Sequence, residues 1–226
     1  LLGPGRKYDK SNSAQLEKDI KQVITHILSG LQETNYPVSY VEQGNVKSEY
    51  LKLLYGKDVP DRKLYSNDFC GPSSYTLQTK HIQEVSEEVI TPNIRDYYTV
   101  TEKADGSRKL LFVNNKGRIY LITTGMQVQY TGVTITNKKL YNSLLDGEHI
   151  LHNKVRQFIN YYGAFDIYFI NGRSVRDKGF MYLEEDAIKE NYRLPLLTEF
   201  INEMNVKKDS KDMEYPINIH SKNFLV

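Results

Sequence analysis

The segment Glu102-Lys103-Ala104-Asp105-Gly106-Ser107-Arg108 places a lysine, two carboxylates, a glycine and an arginine side by side. It follows one β-prone run and precedes another. A lysine at the end of a strand can hold a phosphorylated ligand when a glycine beside it lets the phosphate come close to the backbone. Alone, a Lys-x-Asp-Gly tetrapeptide is most often a charged turn between two strands.

The downstream context changes that reading. Leu144-Leu145-Asp146-Gly147-Glu148 is an apolar run that ends in a second Asp-Gly followed by a carboxylate, and Gly163-Ala164-Phe165-Asp166-Ile167 sets an aromatic residue and an acid inside another apolar run. A carboxylate inside an apolar strand is costly to bury unless it has a partner or a task. Taken singly, each string reads as a hairpin or a structural hydrogen bond. The three together, in this order, are harder to dismiss.

The elements that must position these residues are legible in outline. Leu16, Ile20, Val23, Ile24, Ile27, Leu28 and Leu31 fall on one helical stripe, with Asn12 or Ser13 as its cap and a stop between residues 34 and 37, ahead of Pro37. Residues 38–46 read as a short extended segment, 48–55 as a second helix and 57–67 as a connector around Pro60. Residues 74–80 read as extended and 81–89 as a short helix. Residues 97–103 are β-branched and aromatic. Runs 109–113 and 118–123 flank Asn114-Asn115-Lys116-Gly117, a good hairpin turn. Residues 128–130 and 133–135 suggest a further hairpin, 144–151 and 163–170 buried strands, 181–191 and 194–204 helices, and 217–219 a last strand. Antiparallel strands with intervening helices make the expected class α+β rather than a doubly wound parallel sheet.

Bulk properties bound the function. The chain has 226 residues, 39% of them hydrophobic, enough for one domain with a core plus an extension. Thirty basic residues face 28 acidic ones, a net charge of +2, so any nucleic-acid path must be a local basic patch. One cysteine, Cys70, excludes an internal disulfide and a cysteine metal cluster, and fits a reducing intracellular compartment. No apolar run is long enough to span a bilayer and no signal peptide is visible. The opening Leu1-Leu2-Gly3-Pro4-Gly5 has no initiator Met, so the chain reads as a piece of something longer.

Lys103-Ala104-Asp105-Gly106-Ser107-Arg108 resembles the nucleotidyl-lysine motif shared by RNA guanylyltransferases and ATP-dependent polynucleotide ligases. Leu145-Asp146-Gly147-Glu148 is similar to the next carboxylate motif of that superfamily. Phe165-Asp166-Ile167, with Ile170-Asn171-Gly172 after it, is similar to the aromatic motif that follows. Phe69-Cys70-Gly71-Pro72-Ser73-Ser74-Tyr75-Thr76-Leu77 resembles the Gly-Pro stretch ahead of the lysine in mRNA capping enzymes, which favours capping over ligation. The likeness runs from about residue 69 to the C-terminus and points to capping enzymes of large DNA viruses.

The resemblance implies an antiparallel-sheet, ATP-grasp-like nucleotidyltransferase domain over residues 61–226. Residues 1–60 would be a linker and amphipathic helix, resembling the end of an upstream RNA triphosphatase domain. It implies a two-step reaction: Lys103 attacks the α-phosphorus of GTP, and the resulting lysyl-GMP passes its nucleotide to a 5′-diphosphate RNA end. Lysine suits the task because, unlike arginine, it can lose its proton. Magnesium or manganese is the implied ion. Arg108 and Glu148 are implied at the ribose and α-phosphate. Phe165 either stacks on the purine or is a core phenylalanine. Asp105 orients its own turn or the lysine, and Asp146 is structural. Lys222, in Tyr215-Pro216-Ile217-Asn218-Ile219-His220-Ser221-Lys222, resembles the lysine that reads guanine, or is a surface lysine. As a donor it suits guanine's carbonyl oxygen and not adenine's amino group.

The sequence departs from the family pattern in two places. The arginine-bearing strand usually found between the lysine and the carboxylate motif is matched only by the segment around Arg118. The later Asp-Gly motif, the paired-lysine strand and the OB-fold domain do not follow before Val226, so the chain by itself is expected to be nearly inactive. Partner triphosphatase and methyltransferase domains or subunits, no membrane, and a cytoplasmic viral factory or virion complete the expectation. Arg173, Arg176 and Lys178 are the better candidates for RNA or triphosphate contact, and the five histidines show no metal spacing. Two readings from other classes stand beside capping: an ATP-dependent polynucleotide ligase, and a catalytically silent binding scaffold.

Overall fold

The computed structural model describes residues 13–84, 93–95, 98–182, 188–211 and 215–225. Its centre is a curled, mainly antiparallel sheet of eight strands: β1 (Ser107–Val113), β2 (Arg118–Thr123), β3 (Val128–Ile135), β4 (Ser143–His152), β5 (Phe158–Ile170), β6 (Arg173–Ser174), β7 (Val206–Lys208) and β8 (Asn218–Ser221). Their order is β6-β5-β4-β1-β2-β3-β7. β8 runs parallel to β5 along Tyr161–Ala164, so the outer edge of β5 carries β6 at one end and β8 at the other. The expected α+β class holds.

Alternation along the strands builds a core on each face. Leu110, Phe112, Tyr120, Ile122, Leu144 and Tyr168 pack with Val46, Tyr50 and Leu51 of helix α2 (Tyr40–Tyr55). Leu111, Val113, Ile119, Leu121, Leu145 and Ile167 pack with Leu197 and Phe200 of helix α3 (Arg193–Glu203). Among the described residues no helix is long and apolar enough to cross a membrane.

Several local expectations change. Within residues 38–46 the expected extended run is helical from residue 40: Ser39 caps α2, its hydroxyl accepting from the Glu42 N–H at 3.1 Å, and the helix runs on through residue 55. The side-chain cap and the burial of Val46, Tyr50 and Leu51 outweigh the β-propensity of the Val38 to Val41 stretch. Residues 128–135 form one strand rather than a hairpin. Gly132 (φ +76°) takes up the slack where register shifts between Arg118↔Thr134 and Tyr120↔Tyr130, a bulge in place of the expected turn. Among the described residues, 74–78 find no strand partner, and residues 79–81 are a single 3₁₀ turn. Most of the helix expected over 81–89, and the middle of the one expected over 181–191, lie outside the described residues; residues 189–191 are a 3₁₀ turn. The first helix, α1 (Ser13–Gln32), forms where the stripe predicts, yet Ile20, Val23, Ile24, Ile27 and Leu31 on that stripe are exposed.

Candidate active site

Lys103 lies in the loop between the bridge at Val100 and the start of β1. Its side chain is 87% exposed, and its Nζ sits 3.0 Å from Asp105 Oδ1. That hydrogen bond raises the Lys103 pKa above the ordinary lysine value and lowers that of Asp105. The pairing favours the ammonium form of the exposed amine.

Glu148 closes the loop from β4. Its Oε1 accepts the Gly106 N–H at 2.9 Å. A side chain at position 106 would put a Cβ 2.6 Å from the His149 carbonyl oxygen, so glycine lets the loop lie against β4. Register does the rest: Arg108 is paired with Glu148 across β1 and β4, and Glu148 with Gly163 across β4 and β5.

Arg108 is the centre of a second cluster. Its Nε and Nη2 grip Asp146 at 3.1 and 2.6 Å, and its Nη1 donates to the Pro72 carbonyl at 2.7 Å. Asp146 is fully buried and also accepts from the Tyr168 hydroxyl at 2.7 Å. The guanidinium carbon lies 5.3 Å from the Phe69 ring centre and 5.8 Å from that of Phe165, whose ring is half-buried. Gly71 (φ +137°) fits beneath: a Cβ there would lie 2.6 Å from Arg108 Nη2 and 2.8 Å from Asp146 Oδ2. Helix α2 holds this loop, because the buried Tyr50 hydroxyl donates to the Asp68 carbonyl at 2.6 Å and accepts the Cys70 N–H at 3.0 Å. Arg176 lies over Phe169, with its guanidinium carbon 4.7 Å from the ring centre, and points Nη1 at the Cys70 sulfur, 3.9 Å away.

Lys222 donates through Nζ to the Glu102 carbonyl, the residue before Lys103. Lys103, Asp105, Arg108, Glu148, Phe165 and Lys222 thus gather along one seam of the sheet. Arg118 does not join them: it lies at the far end of the β1–β2 pair, bonded to Glu42 of α2 at 2.8 Å and stacked on Tyr130, 4.0 Å from the ring centre. Asp166 is held by Arg193 at the start of α3 at 2.8 Å. Sequence reading gave no individual role to Tyr168 or Phe69, which orient Arg108 through Asp146 and through the ring face. Tyr168 is signalled only by its place two residues beyond Asp166 on β5, whereas Phe69 opens the Gly-Pro stretch that carries part of the resemblance.

A curled antiparallel sheet preceded by helices, with a lysine loop latched to a strand carboxylate, is the architecture of a nucleotidyltransferase-like domain. The chain belongs to the mRNA capping enzyme family: the family described as "mRNA capping enzyme, catalytic domain" matches residues 14–225. It is similar to a protein of Acanthamoeba polyphaga mimivirus described as "Probable mRNA-capping enzyme". The two are 27% identical over 157 residues, which cover 70% of this chain and 12% of the length of that relative.

Proposed function

We propose that this chain carries the guanylyltransferase site of a multifunctional capping enzyme. The observation that carries the reading is the latch of Glu148 on the Gly106 N–H, three residues past Lys103, with Arg108 paired to Glu148 across β1 and β4 and lying over the Phe165 ring. The Lys103 amine lone pair attacks the α-phosphorus of GTP. The bond from that phosphorus to the bridging oxygen breaks, pyrophosphate leaves, and the amine proton passes to solvent. The phosphoramidate then yields GMP to a 5′-diphosphate RNA end. Glu148 and Arg108 hold ribose and α-phosphate, Phe165 offers its half-buried ring to the purine, and Asp105 favours the protonated lysine until substrate displaces it. Arg173, Arg176 and Lys178 offer positive charge for RNA or triphosphate.

Among the described residues no three His, Cys, Asp or Glu side chains converge on a metal position, and Asp146 is taken by Arg108 and Tyr168. The described residues thus offer no preformed cage for a resident ion. Magnesium or manganese enters this reading only as the counter-ion that the triphosphate brings. The triphosphatase and methyltransferase activities that would flank the transfer belong, in this reading, to other parts of a longer protein or to its partners.

The test is incubation of the full-length protein with magnesium and α-labelled GTP or ATP, with Lys103→Ala alongside. The expected result is an acid-labile, alkali-stable label from GTP that Lys103→Ala lacks. Label from ATP alone identifies a ligase, and no label from either nucleotide sinks the enzymatic reading and leaves a scaffold.

A further inference from the structure

Strand register orders the face that carries the lysine loop. Arg108 pairs with Glu148 across β1 and β4, Glu148 with Gly163 across β4 and β5, and Gly163 with His220 across β5 and β8. Residues opposed across neighbouring strands point to the same side of a sheet. His220 therefore shares a face with Arg108 and Glu148. Phe165 and Tyr161 stand two positions from Gly163 in opposite directions along β5. Phe165 lies against Arg108. Tyr161 is opposed to Ile150, two places beyond Glu148 on β4.

There the rings of Tyr161 and His220 lie nearly parallel, tilted by 11°, with centres 5.6 Å apart. Gly163 makes room for them: a Cβ there would stand 3.0 Å from Tyr161 Cε1. His220 Nε2 lies 2.8 Å from Asn218 Oδ1, which fixes the ring plane. Tyr161 is half-buried and His220 exposed, so the stack is anchored at one end and open at the other. The β4–β5 turn beyond it is cationic. The Asn153 side-chain oxygen accepts from the Val155 and Gln157 N–H groups at 3.1 and 2.9 Å, and the turn so closed leaves Lys154 and Arg156 exposed. Arg156 holds φ +61°, a backbone position that glycine fills more easily. Asp105 is lowered in pKa first by its bond to Lys103 and, to a lesser degree, by the charge of Lys154, so the charge of this turn reaches the lysine loop.

We propose that the stack of Tyr161 and His220 is the platform for the first base of the acceptor RNA. This rests on the guanylyltransferase reading above and concerns its second step. An oxygen of the RNA's terminal phosphate attacks the phosphorus of lysyl-GMP. A phosphorus–oxygen bond forms, the phosphorus–nitrogen bond breaks with its electron pair going to the lysine, and the amine takes a proton from solvent. In that reading Phe165 takes the purine of the GMP. The opposite direction along β5, with its open aromatic stack, is left for the acceptor. Bases stack on aromatic side chains whatever their identity, and the exposed Lys154 and Arg156 suit the phosphates that follow.

The experiment uses the full-length protein and two short 5′-diphosphate RNAs, one intact and one lacking the base of its first nucleotide. Tyr161→Leu keeps bulk over Gly163 and loses the ring face, whereas Tyr161→Phe keeps the ring. Lysyl-GMP formation and transfer of GMP to RNA are followed separately, and RNA binding is read by fluorescence anisotropy. In Tyr161→Leu the KM for the intact RNA is expected to rise about 5- to 100-fold, with a far smaller change in lysyl-GMP formation. The abasic RNA should bind the parent and Tyr161→Leu alike. Tyr161→Phe should stay near the parent. His220→Ala, at an exposed position, gives the same comparison if Tyr161→Leu does not fold. An equal loss for both RNAs overturns the proposal, because the ring would then act through something other than the base. A loss in lysyl-GMP formation as large as the loss in transfer also overturns it and seats the pair against GTP. If the unsubstituted protein takes label from neither nucleotide, the guanylyltransferase reading fails, and the binding comparison between the two RNAs still decides whether the stack holds the base.

Discussion

Asp105 and Lys103 pose the sharpest question that single side chains can answer. Their 3.0 Å contact raises the lysine's pKa, and the amine must be neutral to attack. In the free protein Asp105→Asn removes the partner that favours the charged form, and the Lys103 pKa falls. The rise of lysyl-GMP formation with pH is expected to move to lower pH in kcat/KM for GTP, which reports the free protein. An unmoved profile would overturn the role proposed for Asp105. The lysine motif stands out in the sequence because its residues are consecutive. What surrounds Arg108 does not, since Pro72, Asp146 and Tyr168 converge from three separate segments and share no periodicity with it. Sequence reading took Asp146 as structural, and the geometry gives that word a content: the buried carboxylate fixes the direction in which the guanidinium points.

At the level of the strand pair β1–β4, the face turned away from Arg108 carries a buried polar chain. Lys109 Nζ donates to Gln129 Oε1 at 2.7 Å and lies 3.0 Å from His149 Nδ1, while His149 Nε2 is 2.9 Å from Asn160 Oδ1. Burial pushes the His149 pKa down to about 4. A histidine whose folded pKa lies below its unfolded value of about 6.5 binds fewer protons when folded. Its stabilising effect is complete above pH 6.5 or so and fades as pH falls toward the folded pKa. The expected loss across that window is on the order of 2–3 kcal/mol, read from urea midpoints between pH 7 and pH 4. His149→Gln should flatten that slope, and a variant as acid-sensitive as the parent would assign the loss to other groups. The strands themselves were legible through their alternation and the Asn114 to Gly117 turn. Of helix α2 only the second half, residues 48–55, was, because Val38, Tyr40 and Val41 ahead of it carry the side chains of a strand. Only the capping hydroxyl of Ser39 and the buried trio Val46, Tyr50 and Leu51 betray the helix. The bulge at Gly132 was hidden for a related reason: a glycine between two β-prone runs signals a turn and a bulge equally well.

Across the whole molecule the two helical faces contribute unequally. Ile24 and Ile27 of α1 are 49% and 57% exposed, whereas Tyr50 of α2 is fully buried. Ile27→Glu should shift unfolding free energy by less than about 0.5 kcal/mol, while Tyr50→Ala should cost about 3–5 kcal/mol and release the loop that carries Gly71 and Pro72. Denaturant melts of both variants test the contrast. A large loss in Ile27→Glu would mean that α1 is bound into the fold more firmly than its exposure shows. The apolar stripe made α1 predictable as a helix, but periodicity names a face and says nothing of what covers it. The seam between residues 98–103 and 222–225 was equally invisible, since its partners are separated by 120 positions or more.

That separation has a consequence in time. A ribosome adding roughly 5–20 residues per second finishes the lysine loop several seconds before it makes the segment that fastens it. Through that interval the segment around Lys103 lacks the partners at Asn223 and Leu225 that hold it in the folded protein. They arrive together, when the strand at residues 218–221 docks alongside β5. A chain cut short before residue 222 would keep every residue of the lysine motif and none of these ties.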